Sequence, residues 1–428
     1  MSIEYIYDMD EVFSLLSITY FLILFLFARS PVKQPQVNRY SSKDVTVVIP
    51  VYREDEGLFL DTVKSVASQG VRFVVIGDGC SSPYKEITSV FGGEFLEIPH
   101  SGKRRALAEG IKRVRTSLVL LLDSDTLVEQ GGIENLASKF DDSIGGITPL
   151  VEELTTSNSS VYLISKVLSF FRKLNNRVLS KNGGIMVLNG QCSLFKTDVI
   201  LPFITSQEFL RTKEGFIGDD REITIFLKEK GYKVVQDEDV RVFTSPPRDF
   251  NSLLKQMTRW FRAGYYYYVQ ELKRKVTPNP IYYYVLSYWY LLPILLTIEY
   301  MYTGFDLGYH LIRTTEHILE RQGNLGLPIL SDLLAFRRAL VIFSVRLIKM
   351  AKTEVTSFDI FLKLAYSIVD FIFLGVLISS MKTRIRDSIY VLSAFPVMFM
   401  SSLTALLSVL LSTLISSIRR IVRGGMDT

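Results

Sequence analysis

The sequence predicts an α/β domain set between membrane helices. Three observations predict it. Between about Asp44 and Ser245, short β-branched runs alternate with polar-faced helical stretches, the pattern of a parallel sheet with crossover helices. Long apolar runs lie before and after that region. The mean hydropathy of the 428-residue chain is positive, +0.23, which argues for membrane segments. The composition, 48% hydrophobic and 12% aromatic, excludes global disorder. The cysteines Cys80 and Cys192 are too few for a disulfide scaffold. A net charge of +5 over this length is weak evidence for nucleic acid, so no nucleic-acid partner is expected.

Residues 1–41 read as an anchor and a linker. The apolar run Val12 to Ala28 is followed by Arg29 and Lys33. At about 17 residues it is at the short end for a spanning helix. Its acidic start (Glu4, Asp8, Asp10, Glu11) and the lack of a small-residue cleavage site favour an uncleaved anchor over a signal peptide. The basic flank places the following residues in the cytosol. The polar and Pro-rich stretch SPVKQPQVNRYS then reads as linker.

Residues 42–247 form the α/β domain. Ligands in such folds bind beyond the carboxyl ends of the strands. Those ends carry Tyr52-Arg53-Glu54, Asp78-Gly79-Cys80 and Asp123-Ser124-Asp125-Thr126. An Asp-x-Asp suits a divalent cation shared with phosphate oxygens, and equally a helix cap in a solvated loop. His100-Ser101-Gly102-Lys103 opens a helical stretch, so Lys103 sits where phosphate binds readily or where a basic helix start is simply solvated. Gly218-Asp219-Asp220-Arg221 starts another helix; a carboxylate there suits a general base or a favourable helix N-terminus.

Residues 248–280 read as an amphipathic helix at a membrane surface. Gln256, Arg259 and Trp260 share a face of it, which also suits a plain interfacial Trp anchor. Residues 281–428 hold apolar runs at Ile281–Thr303, Phe358–Ser380 and Ser388–Ile415, each long enough to span; Leu330–Met350 is interrupted by charges. Three or four spans follow.

In order, VVIPVYRE, GDGCSS, HSGKRRAL, DSDT, GQCSLF, GDDREIT and QMTRW resemble the motifs of the processive, membrane-embedded family 2 glycosyltransferases. That group includes hyaluronan, chitin, nodulation chitooligosaccharide and cellulose synthases. The resemblance covers roughly Val45 to Trp260 with the flanking apolar runs. It implies a GT-A type fold, a Rossmann-like mixed sheet, with a nucleotide-sugar donor such as a UDP-sugar and Mn or Mg. It also implies residue roles. Tyr52, Glu54, Asp78 and Lys103 would contact the nucleotide. Asp123 would face ribose and metal, and Asp125 would ligate the metal. Asp220 would be the base and Asp219 its acidic neighbour. Gln256, Arg259 and Trp260 would serve the diphosphate and acceptor, and Cys192 would line the acceptor terminus. Gly-Asp-Asp-Arg leans toward hyaluronan synthases, while the single N-terminal run leans toward the nodulation enzymes. A chitin-type synthase and a non-processive transferase to a lipid or polyprenyl phosphate stay open. The implied protein is a multi-pass plasma-membrane enzyme with a cytosolic catalytic domain, binding a growing polysaccharide or lipid acceptor and the bilayer. Its oligomeric state is open, a monomer among the options.

Overall fold

The computed structural model describes residues 4–154, 160–211, 218–291, 294–295, 397–398 and 400–409. The chain divides into two compact units, Met1–Ile18 with Leu291–Ser380, and Thr19–Tyr290 with Met381–Thr428. The described residues belong mainly to the second, which carries the sheet. Helix α1 covers Glu4–Phe27. There follow β1 (Val45–Val51), α2 (Glu56–Ala67), β2 (Arg72–Asp78), α3 (Tyr84–Val90), β3 (Glu94–Ile98), α4 (Lys103–Ile111), β4 (Leu118–Leu122) and β5 (Thr126–Val128). Then come α5 (Gly132–Ser138), β6 (Ile144–Glu153), α6 (Ser160–Lys181), β7 (Cys192–Lys196), α7 (Thr197–Ile204) and α8 (Gln207–Leu210). Last are α9 (Asp219–Glu229), β8 (Lys233–Thr244) and α10 (Phe250–Arg274).

The eight strands form one sheet in the order β3-β2-β1-β4-β7-β6-β8-β5. One half, β3-β2-β1-β4, is parallel throughout. In the other half β7 runs antiparallel to both β4 and β6, β8 is parallel to β6, and β5 is antiparallel to β8. The sheet is therefore mixed, as the resemblance implied, and not the purely parallel one that alternation alone suggested. All seven residues of β1, VTVVIPV, are buried, as expected of a central strand covered on both faces. Phe59, Val63 and Val66 of α2, with Ile133 and Leu136 of α5, cover one face. Leu107 and Ile111 of α4, Ile200 of α7 and Ile223 and Leu227 of α9 cover the other. Local chemistry sets the helix starts: the Asp55 carboxylate accepts from the N–H of Leu58 at 3.0 Å, and that of Asp249 from Ser252 at 2.7 Å.

The stretch read as a linker is pinned to the domain. Its partner is the acidic run in β8. The Gln34 N–H donates to Asp237 Oδ2 at 2.8 Å, the Val32 N–H to Glu238 Oε1 at 3.1 Å, and Lys33 pairs with Asp239 at 2.6 Å. Behind them Lys139, 2% exposed, bridges Asp237 and Asp239 at 2.8 and 3.1 Å. Helix α6, absent from the sequence reading, completes the clamp. Its Arg177 donates to both carboxylate oxygens of Glu238 at 2.6 and 2.7 Å and to the carbonyl of Ala28 at 3.0 Å. Tyr20 of α1 donates to Asn175 of α6 at 2.6 Å and stacks on Tyr288.

Among the described residues no helix is long and apolar enough to cross a membrane. The run at Val12–Ala28 falls on α1, whose Leu24 and Ala28 are buried while Leu22, Phe25 and Leu26 are exposed. The runs at Leu330–Met350 and Phe358–Ser380 lie outside the described residues. Of the other two only 281–291, 294–295, 397–398 and 400–409 are described, and these are helical.

The clamp predicts a pH-dependent stability. Arg177 and the Val32 N–H outweigh burial and hold the Glu238 carboxyl below its ordinary value. Such a group adds stability above its unfolded pKa, about 4.3, and loses it as pH falls through the lower folded value. E238Q should therefore destabilise the protein by roughly 3 kcal/mol at pH 7, with the difference from wild type starting to shrink only as pH falls below about 4. Thermal unfolding across that range checks both points.

Candidate active site

The carboxyl ends of β1, β2 and β4 bring the predicted residues to one edge of the sheet. Tyr52, just past β1, is 43% exposed and stacks on His100, with ring centres 4.3 Å apart and planes at 17°. Glu54 accepts from the Ser124 hydroxyl at 3.2 Å, tying the first strand end to the Asp-Ser-Asp turn. Asp78 is buried, and its carboxylate is already occupied. It accepts from the N–H groups of Ser101 and Gly102 at 2.6 and 3.0 Å and faces His100 Nδ1 at 3.0 Å. Asp78 thus holds the loop that opens α4. Close backbone approach makes this possible: a Cβ on Gly79, at φ +73°, would stand 2.7 Å from the His100 side chain.

That loop delivers Lys103 as the first residue of α4. Its ammonium lies 2.5 Å from Asp123 Oδ1 and 4.0 Å from Asp219 Oδ2. A small cleft is lined by Lys103, Asp123, Asp219, Asp220, Gly190 and Ser193, with Leu107, Leu121 and Ile223 as apolar lining. Burial opposes the Lys103 charge, but the charges of Asp123, Asp219 and Asp220 outweigh it and hold the ammonium protonated. The same crowding acts oppositely on the acids. Burial, then the Asp219 charge, pushes Asp220 up to about 6. Burial, then Asp123 and Glu54, pushes Asp125 up to about 6 as well. Gly190 leaves room at Asp220; a Cβ there would lie 3.3 Å from its Oδ2.

Cys192 is placed elsewhere than the resemblance implied. It is fully buried among Val47, Leu120 and Leu194 on the far face of the sheet. Strand alternation explains this: Cys192 and Leu194 face one way and Ser193 and Phe195 the other, so Ser193 and Gly190 line the cleft.

On α10, Gln256, Arg259 and Trp260 flank the buried row Leu253, Met257 and Phe261. Burial raises the Asp123 carboxyl above its ordinary value, with Lys103 and, more weakly, the charge of Arg259 acting against it. Trp260, 38% exposed, has the Arg172 guanidinium 5.5 Å from its ring centre. Arg172 and Glu153 were missed in the sequence. Burial lowers the Arg172 pKa, with the charges of Glu153 and Asp220 acting against it. Glu153, pushed up by burial, accepts from the hydroxyls of Ser165 and Ser169. No motif marks either residue; helix α6 brings Arg172 to Trp260 of α10, and Glu153 ends β6.

Asp123 and Asp125 offer hard carboxylate oxygens with one residue between them, and burial, then the charges of Asp123 and Glu54, keeps the Asp125 carboxyl raised. Among the described residues no group of three or more acidic, His or Cys side chains gathers into a metal cage. The donor set therefore fits a divalent cation that completes its shell with water and ligand oxygens, not an all-protein site.

With this geometry the comparisons are informative. Residues 42–263 match the family described as glycosyltransferase-like family 2. An N-acetylglucosaminyltransferase of Azorhizobium caulinodans is 25% identical over 240 residues, 52% of this chain and 59% of that protein. A hyaluronan synthase of Streptococcus pyogenes is 26% identical over 291 residues, 63% of this chain and 68% of that protein. The chain spans about three fifths of the length of the N-acetylglucosaminyltransferases it matches. A solved mannosyltransferase of Pyrobaculum calidifontis, in complex with GDP-Man and Mn2+, aligns with a TM-score of 0.56 and 16% identity, over 80% of this chain and 92% of that one. At that identity the likeness is one of fold.

The crowded carboxylates predict a stability cost. Asp220 has a folded pKa of about 6, above the ordinary value of about 3.9. A raised acid stabilises the fold below its unfolded pKa, and that stability is lost as pH rises through the folded value. D220N should match wild type near pH 4 and be more stable by up to about 3 kcal/mol at pH 7.5. Chemical unfolding at the two pH values checks this.

Proposed function

The chain belongs to glycosyltransferase-like family 2, and from that membership we propose that it is a membrane-embedded, inverting glycosyltransferase that builds a polysaccharide from UDP-sugars. One observation carries the reading. Asp220, Asp219, Lys103 and Asp123 line a single cleft at the strand ends, and the charge of Arg259 on α10 reaches into it.

In this reading Asp220 takes the proton of the acceptor hydroxyl as its oxygen attacks the anomeric carbon. The bond from that carbon to the diphosphate breaks on the opposite face, inverting the centre. The departing nucleoside diphosphate is met by Lys103 and Arg259. Tyr52, Glu54 and Asp78 are assigned to the nucleotide end; Asp78 acts by holding the loop that presents Lys103. Asp123 and Asp125 are assigned to a Mn or Mg ion, which when bound would supply charge to the diphosphate oxygens. Trp260, with Gln256, is assigned to the acceptor, in contact with Arg172. Cys192 is assigned no contact, because its thiol lies in the core. The membrane setting is supported by the exposed Leu22, Phe25 and Leu26 of α1 and by the apolar runs after residue 280. On it the catalytic domain faces the cytosol of a plasma-membrane protein that passes its product through its own helices.

The hyaluronan-type reading is favoured by Gly218-Asp219-Asp220-Arg221. The N-acetylglucosaminyltransferase relatives support a GlcNAc homopolymer as the second reading. Sizing the product from labelled UDP-GlcNAc, with and without UDP-glucuronic acid, separates them. Long polymer that needs both donors supports the first, and polymer or oligomers from UDP-GlcNAc alone the second. A single sugar on lipid overturns both. With the active donor, D220N should lose about 10²- to 10⁴-fold in transfer, and D125A should lose its stimulation by Mn. Because the base must be ionised, wild-type kcat/KM should rise with pH and level off above about pH 6.

A further inference from the structure

Helix α9 sends its first side chains in opposite directions. Asp219 and Asp220 face the cleft. Arg221, 4% exposed, turns away from it into the contact with α10. There its Nε donates to Oε1 of Glu271 at 2.6 Å, and Glu271 is completely buried. The other Glu271 oxygen accepts from the Tyr282 hydroxyl. Arg221 Nη1 reaches the Tyr290 hydroxyl at 3.4 Å. Gly264 of α10 lets Tyr290 come this near; a Cβ there would stand 2.3 Å from the ring. Further along α9, the Lys228 ammonium sits 4.0 Å from the centre of the Tyr282 ring. It is buried with no hydrogen-bond partner among the described residues. Glu271 is thus the counter-charge of the buried Arg221 guanidinium.

The same Arg221 touches the base. Its backbone N–H donates to Asp220 Oδ1 at 2.8 Å. A displacement of Arg221 therefore moves a donor that orients Asp220. At the other end Glu271 lies on the helix that carries Arg259, about three turns later. A buried ion pair adds little net stability over an apolar pair of similar size, and its better-supported use is to impose one arrangement.

We infer that the Arg221–Glu271 ion pair is a positioning device that sets the Asp220 carboxylate in register with the Gln256, Arg259 and Trp260 face of α10. The inference rests on the proposed role of Asp220. Arg221 and Glu271 act through other groups and touch no reactant. Losing the pair shifts the base relative to the leaving-group residues, and a misplacement of about 1 Å costs as much as a hundredfold in rate.

The test uses the full-length chain purified in detergent, with E271Q and E271D. The readouts are kcat and donor KM for transfer from labelled UDP-GlcNAc with and without UDP-glucuronic acid, and UDP affinity by calorimetry. E271Q should lower kcat by about 10- to 100-fold while donor KM and UDP affinity stay within about twofold, and E271D should recover part of the rate. A wild-type kcat in E271Q overturns the inference, as does a fall in UDP affinity equal to the fall in kcat, which marks general damage to the site. If E271Q does not fold, Y282F decides: it keeps both charges and removes one donor to Glu271, so kcat should fall about threefold at unchanged UDP affinity, and an unchanged kcat overturns the inference. A wild-type chain that transfers no sugar overturns the functional reading and this inference together; a wild type that transfers alongside an equally active E271Q overturns this inference alone.

Discussion

Lys103 is the cation around which the site is assembled. Asp123 and Asp219 lie within 4.0 Å of its ammonium, and Asp220 shares the same cleft. Carboxylates drawn this close in a half-buried cleft repel one another and resist ionisation. One ammonium offsets part of that repulsion; burial, and after it the neighbouring carboxylates, still raises Asp220 and Asp125. The residual negative potential suits a divalent cation on one side and a proton acceptor on the other. Stability is given up at the place where chemistry needs an unsettled charge.

Everything that places Lys103 is indirect. Asp78 spends its carboxylate on the backbone of Ser101 and Gly102, so that α4 begins where the strand ends meet. Arg104, the next residue, donates to Glu222 of α9 at 2.7 Å. The helix bearing the cation and the helix bearing Asp220 are therefore tied side by side. Helix α9 in turn is tied to α10 through Arg221 and Glu271. These are charge pairs with little solvent around them, the condition in which such pairs specify geometry more than they add stability.

A second set of charges fastens the N-terminal helix to the sheet. Asp237, Glu238 and Asp239 hold residues 32–34, while Lys139 and Arg177 neutralise them from behind. The consequence is mechanical: the end of α1 from Thr19 onward is fastened to α6 and β8. Helix α6 also carries Arg172 to Trp260 of α10.

Much of this was legible in the sequence. The apolar run of β1, the acids at strand ends and the amphipathic pattern of α10 are local properties, set by periods of 2 and 3.6 residues. They place Tyr52, Asp78, Lys103, Asp123 and Asp220 at element ends without knowledge of the fold. Membership of a run of motifs then supplied the expected chemistry and the mixed sheet. The sequence could not decide which way a strand residue faces when both faces are apolar. Hence Cys192 went to the core and Ser193 to the cleft, a matter of register with β4. Nor could it show that a Pro-rich stretch docks on an acidic strand about 200 residues away, or that Arg221 finds Glu271. Those contacts join residues far apart in the chain, and only the packed sheet and its helices bring them within hydrogen-bonding distance.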